Sequence, residues 1–267
     1  MTAAWELKYE TLAFARRGGV LTIMLNDPSH LNAVGEQMHN ELANVFADAA
    51  TDADSRVVVL TGAGRVFSAG GDIAQMQEAV ADPAKFLAGV PMAKKIVFSL
   101  LDLEKPIIAK INGHAVGLGA TLALFCDVTF MAETARIGDP HVAIGLVAGD
   151  GGAVIWPLLI GPHRAKEFLM RGHFINGAEA GRIGMVNYAV PSEQVMAKAR
   201  ELAQELADGP TWAIRWSKLA VNKWLKQQAN LILDASLAYE MMTFGTEDQK
   251  EAARAFVEKR KPQYTGR

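Results

Sequence analysis

Two apolar, β-branched runs, Val57–Leu60 and Ile107–Ile111, constrain this chain most, because each ends in a glycine-bearing turn that leads into a helical pattern. A run that is apolar throughout fits a strand covered on both faces, the situation inside a parallel sheet. The first run continues through Thr61-Gly62-Ala63-Gly64 into Phe67-Ser68-Ala69-Gly70-Gly71-Asp72. The second continues into Asn112-Gly113-His114-Ala115-Val116-Gly117-Leu118-Gly119. A strand-to-helix junction leaves backbone N–H groups without intrahelical partners. Two such junctions facing each other can donate two N–H bonds to one developing oxyanion, which is what carbonyl and thioester chemistry requires.

The rest of the chain fits an α/β arrangement. Leu12–Arg16 and Val20–Leu25, split by Gly18-Gly19, read as a hairpin. Val128–Met131 and Met185–Val190 are further strand candidates, and helical patterns fall at Gln37–Ala49, Lys85–Leu101, Gly119–Phe125, Ala153–Ile160, Pro162–Met170 and Ala178–Ile183. Asn176 and Glu179 form an N-cap pair for the last of these. Strands separated by helices need crossover connections, so the sheet is expected to be largely parallel. After Pro191 only helical runs remain, Ala197–Ala207, Trp212–Lys226 and Thr246–Pro262, with Gln249 as capping-box partner of Thr246. The expected division is a sheet-bearing core over 1–191 and a helical region over 192–267, with apolar faces available to another subunit.

Composition removes several function classes. A formal net charge of −2 gives no electrostatic reason to bind nucleic acid or an anionic membrane. The single cysteine, Cys126, lies in an apolar run and reads as a small buried filler. His30, His39, His163 and His173 show no metal-ligand spacing, so no metal is expected. The glycine turns lack the Lys-Ser/Thr ending of a phosphate loop and the spacing of a dinucleotide fingerprint. With no presequence and no apolar stretch of about 18 residues, the expected location is the cytoplasm.

The doubled strand–turn–helix pattern, with Asn112-Gly113 opening the second, resembles the crotonase (enoyl-CoA hydratase/isomerase) superfamily. Asn32-Ala33 after Pro28, Thr61-Gly62, Cys126-Asp127 and the tail Ala255-Phe256-Val257-Glu258-Lys259-Arg260-Lys261-Pro262 extend the match over the whole chain. The resemblance implies a spiral of ββα turns with a helical oligomerisation region, assembled as a trimer or dimer of trimers. It implies an acyl-CoA substrate, with CoA entering as part of the substrate and no separate cofactor. The oxyanion donors would be the N–H groups of Gly71 and Leu118. Ala69, Asp72, Ile73 and Ala74 would line the ligand, and Phe256 and Lys259 from a neighbouring subunit's tail would reach the CoA.

One feature departs from the family. Its hydratases use two glutamates, and the corresponding positions here are Thr121 and His141. A threonine is no general base, and its hydroxyl is expected to bond its own helix backbone. An imidazole titrates near neutrality and can serve as acid or base. Asp150, in Gly149-Asp150-Gly151-Gly152, is expected to orient and charge His141. His114, inside the second turn, is expected to point away from the ligand.

The His141–Asp150 pair is also similar to a branch of the superfamily that hydrolyses a C–C bond of cyclic β-diketones without CoA. That branch adds an acidic residue from the C-terminal helices, to which Glu240 could correspond, although an exposed or interface glutamate is the plainer reading. It also uses a second histidine, where this chain has Leu118. Three functions stay open from the sequence: an acyl-CoA lyase or isomerase, a CoA-independent C–C hydrolase, and a catalytically idle CoA-binding protein.

Overall fold

The computed structural model of the chain describes residues 3–73 and 83–267. β1 (Leu12–Arg17) and β2 (Val20–Leu25) form the expected antiparallel hairpin, Leu12 opposite Leu25. Gly18 and Gly19 turn it at φ of 59° and 76°, the left-handed conformation a two-residue hairpin loop needs. Helix α1 (Glu36–Thr51) follows, with Leu42, Val45 and Phe46 fully buried on the expected face. β3 (Val57–Gly62) is buried at every position. After α2 (Pro83–Asp102), β4 (Ile107–Ile111) is buried throughout as well. β3 pairs in parallel with β2 on one side and with β4 on the other.

The chain then forms β5 (Ala115–Val116), α3 (Leu118–Leu124), β6 (Val128–Ala132) and β7 (Arg136–Gly138). It continues with α4 (Gly152–Ile160), α5 (Pro162–Arg171), β8 (Phe174–Asn176), α6 (Gly177–Arg182) and β9 (Tyr188–Val190). The main sheet has the order β1-β2-β3-β4-β6-β9, parallel from β2 onward. A second, smaller sheet has the order β5-β7-β8. Parallel bridges from Val34 to Gly71 and from Ser68 to Ala115 prolong it towards the N-terminal turns. Each turn of the spiral thus gives one strand to the main sheet and a short one to the second ladder.

Past β9 the chain is helical: α7 (Val195–Asp208), α8 (Thr211–Phe244) and α9 (Glu247–Val257). Ala199, Ala203 and Ala207 bury one face of α7, which packs on β3, β4 and β6. Small residues at i, i+4 and i+8 let a helix lie close to a sheet. No helix among the described residues is long and apolar enough to cross a membrane.

Three local expectations need correction. The strand expected over Met185–Val190 starts only at Tyr188. Gly184 turns at φ 79°, and the Met185 and Val186 N–H groups bond back to Ala180 O, so they cannot join a ladder. The helix expected over Trp212–Lys226 runs on to Phe244, because no glycine or proline interrupts it before Gly245. The last helix ends at Val257 instead of Pro262, with Lys259 at φ 53° just beyond it. Thr246 Oγ1 accepts the Gln249 N–H as a cap should, but Gln249 Oε1 is buried without a partner, so the reciprocal half of the box is not made. At α6 the Asn176 side chain does accept the Glu179 N–H, at 2.8 Å.

Candidate active site

The two glycine turns lie side by side, joined by a parallel bridge from Ser68 to Ala115. Val34 N–H donates to Gly70 O at 2.7 Å and Val34 O accepts from Asp72 N–H at 3.2 Å, the pattern of a parallel bridge. In that pattern the N–H of the intervening residue, Gly71, faces the opposite side. A Cβ on Gly70 would stand 2.7 Å from Val116 O, and Gly70 sits at φ 88°, so only glycine fits. On the facing turn, Gly117 N–H donates to Gly138 O, and Leu118 opens α3 with its N–H among those a helix leaves unpaired. Asn32, fully buried, braces the first turn. Its Nδ2 donates to Ala63 O, Val66 O and Phe67 O at 2.9, 3.1 and 3.2 Å, and its Oδ1 accepts from Asp27 N–H.

Beside the second turn stands a buried cluster. β7 ends at Gly138, and Asp139-Pro140 leads into a single 3-10 turn, His141–Ile144. The His141 ring lies against Gly117, its Cε1 being 3.4 Å from where a Cβ on that glycine would sit. Its Nδ1 is in direct contact with Asp139 Oδ1, and its Nε2 is 3.8 Å from Asp150 Oδ2. Thr121 Oγ1 donates to Asp150 Oδ1 at 3.3 Å. From α8, Glu240 enters the same cluster, with Oε2 2.5 Å from the position of a Cβ on Gly149. Ser236 Oγ donates to Gly149 O at 2.8 Å and ties α8 to this loop. The loop glycines make room for the polar groups. A Cβ on Gly151 would lie 2.7 Å from Thr121 Cγ2, and one on Gly152 would lie 2.2 Å from Asp139 Oδ2.

Burial and mutual charge set the protonation. For His141, burial alone would lower the pKa, but Asp139, then Asp150 and Glu240, outweigh it and hold the imidazole well above 6.5. Burial raises Asp150, and His141 opposes that rise. Burial is also the main reason Glu240 is pushed up to about 8, with Asp150 and Asp139 adding to it and His141 opposing. Both shifts favour the protonated forms of His141 and Glu240. Asp139, His141 and Asp150 each offer a ligand atom within 4.8 Å of the others.

His141 and Asp150, paired from the sequence, are thus together, but Asp150 faces Nε2, and the group that orients the ring at Nδ1 is Asp139. Sequence reasoning missed Asp139. Its signal was the spacing in Asp139-Pro140-His141, where a proline-stiffened turn returns the histidine to the carboxylate. Two further corrections concern hydroxyl and carboxyl groups. The Thr121 hydroxyl bonds Asp150 and not its own helix, because Asp150 lies over that face of α3. Glu240 is buried in the cluster and is not a surface glutamate. Ala69, Asp72 and Ile73 are half-buried along the first turn, and Ala74 lies outside the described residues. Lys259 is exposed, and the Phe256 side chain is not among those described. His114 is exposed, with Nδ1 accepting the Arg136 N–H, and so points away from the cluster. Cys126 is a buried thiol donating to Leu122 O, its pKa driven up by burial.

The spiral of ββα turns, the paired glycine junctions and the helical C-terminal region define an enzyme of the crotonase superfamily. Residues 15–267 match Enoyl-CoA hydratase/isomerase, and the chain belongs to that family. A short-chain-enoyl-CoA hydratase of Clostridium acetobutylicum is 35% identical over 261 residues, covering 96% of this chain and 97% of its own. An enoyl-CoA hydratase/isomerase structure from Mycobacterium paratuberculosis superposes with a TM-score of 0.88 at 34% identity, covering 92% of this chain and 98% of that one. A β-diketone hydrolase of Anabaena, bound to (S)-3-oxocyclohexyl acetic acid, is similar as well. Its TM-score is 0.85 at 31% identity, covering 91% of this chain and 97% of that one.

Proposed function

We propose that the enzyme acts on an acyl-CoA thioester, holding the thioester oxygen between the N–H groups of Gly71 and Leu118 while His141 moves a proton at the neighbouring carbon. The observation that carries this reading is the His141 ring lying directly against Gly117, with Nε2 left open towards Asp150. Backbone donors aimed where charge develops stabilise an enolate in a dry site. Nε2 and the Asp150 carboxyl together then shuttle one proton, with Thr121 steadying Asp150. With neither family glutamate in place, isomerisation, or hydration or cleavage of an unusual acyl group, fits better than fast hydration of a short straight chain. The acyl-CoA assignment is supported by the hydratase relatives, whose names carry that substrate. Ala69, Asp72 and Ile73 line the ligand in this reading, and Lys259 of a neighbouring copy meets the CoA.

The second reading is a CoA-independent C–C hydrolase in which His141 activates water. The burial of Glu240 in the cluster favours it, as does the likeness to the Anabaena β-diketone hydrolase. Thermal melting with acetoacetyl-CoA separates the two, because a specific ligand raises melting by mass action. The acyl-CoA reading requires a rise; no shift at millimolar ligand selects the hydrolase. Brisk crotonyl-CoA hydration that survives His141→Ala would refute both assignments of His141.

The assembly we propose is a homotrimer or dimer of trimers. Its support is an apolar stripe along α8, where Trp216, Trp224, Leu231 and Met242 are 60%, 51%, 68% and 72% exposed. Large apolar side chains left this exposed on one helix suit a protein-contact surface.

A further inference from the structure

We infer that Asp139 is the positioning residue of this site: it commits Nδ1 of His141, so that Nε2 alone is presented to the reacting atoms, and Gly152 is kept side-chain-free to let it do so. The inference rests on the reading of His141 as the proton carrier.

The local chain prepares this arrangement. Pro140 stiffens the step from Asp139 to His141. Ala143 N–H to Pro140 O at 2.8 Å and Leu146 N–H to His141 O at 2.9 Å close the turn that follows. The Asp139 carboxylate stands at the Nδ1 edge of the ring. Asp139 is 1% exposed, and its second oxygen, Oδ2, has no hydrogen-bond partner among the described residues. A buried carboxylate retained only to hold a turn would be satisfied on both oxygens, as buried polar groups are. Its Oδ1 accepts from the His141 backbone N–H at 3.5 Å as well as meeting Nδ1, so both of its hydrogen bonds go to His141.

The wall behind Oδ2 is Gly152, whose added Cβ would fall 2.2 Å away. Gly152 is not in the left-handed region, so its backbone does not demand glycine; the carboxylate does. The charged groups acting on the ring are Asp139 next to its own turn, Asp150 from the loop before α4, and Glu240 from α8. Among the described residues, Asp139 alone is hydrogen-bonded to Nδ1. A carboxylate at that nitrogen fixes the tautomer and supports the imidazolium formed at the other.

The test uses the full chain and follows exchange of butyryl-CoA α-protons in D2O. In Asp139→Asn, kcat for exchange falls at least about tenfold while KM stays within about twofold. The apparent pKa of the His141 ring, followed by 15N NMR and assigned by its loss in His141→Gln, falls by about one unit or more. Gly152→Ala, which pushes on Oδ2 from outside, reproduces both changes. If Asp139→Asn does not fold, the wild-type spectrum decides, and it must show Nδ1 protonated in the neutral ring. An unprotonated Nδ1, or an unmoved pH profile in a folded Asp139→Asn or Gly152→Ala, overturns the inference while leaving His141 in place. A His141→Ala variant that still exchanges at the wild-type rate overturns the parent reading instead.

Discussion

Replacing Glu240 by glutamine tests the electrostatics of the cluster through stability, with no knowledge of the substrate. The Glu240 carboxyl is pushed from 4.5 to about 8, first by burial and then by Asp150 and Asp139. A carboxyl with a folded pKa above its unfolded one contributes fully below about pH 4.5. Its contribution drains away as pH rises towards about 8, because the unfolded chain ionises first. The gap, at about 1.4 kcal/mol per pH unit, sets a ceiling of about 5 kcal/mol on the loss. Glutamine keeps the shape and cannot ionise. Urea denaturation at pH 5 and pH 8 should therefore show wild type losing stability relative to Glu240→Gln across that interval, by up to about 3.5 kcal/mol of that ceiling. The comparison cancels titrating groups away from the cluster, whereas His141 and Asp150, which interact with Glu240, contribute to the difference. Parallel stability–pH curves for the two proteins would refute the assignment of a buried, protonated Glu240.

Two further outcomes are expected. Asn32→Ala removes the donor to three turn carbonyls and the acceptor for Asp27 N–H, and should cost about 3 kcal/mol in urea denaturation; a cost below about 0.5 kcal/mol would mean the first turn is held by something else. Leu231→Glu, on the exposed stripe of α8, should shift the protein to monomer in light scattering without lowering its helix content; an unchanged mass would place the subunit contact elsewhere.

The fold was legible because its strongest signals are local. Val57–Leu60 and Ile107–Ile111 could only be strands covered on both faces, and they pair as neighbours. β7 and β8, three residues each, carry no period long enough to read, and their partners are distant in sequence. The site was legible in part. His141 and Asp150 stood out by residue type, but the side of the ring each neighbour takes depends on how the 138–152 segment folds over α3. Asp139 looked like part of a turn, and Glu240 like a helix-surface charge. Only the approach of α8 to Gly149, which admits no side chain there, turns that carboxyl inward.

In the proposed reaction His141 Nε2 moves a proton at a carbon whose neighbouring carbonyl is held by Gly71 and Leu118. Exchange of butyryl-CoA α-protons with D2O, followed by proton NMR, measures that step whatever reaction completes the cycle. Exchange is expected from the wild-type enzyme, with a loss of at least about 100-fold in His141→Ala while acyl-CoA binding is retained. Exchange at the wild-type rate in His141→Ala, or none in the wild type while butyryl-CoA binds, would contradict it.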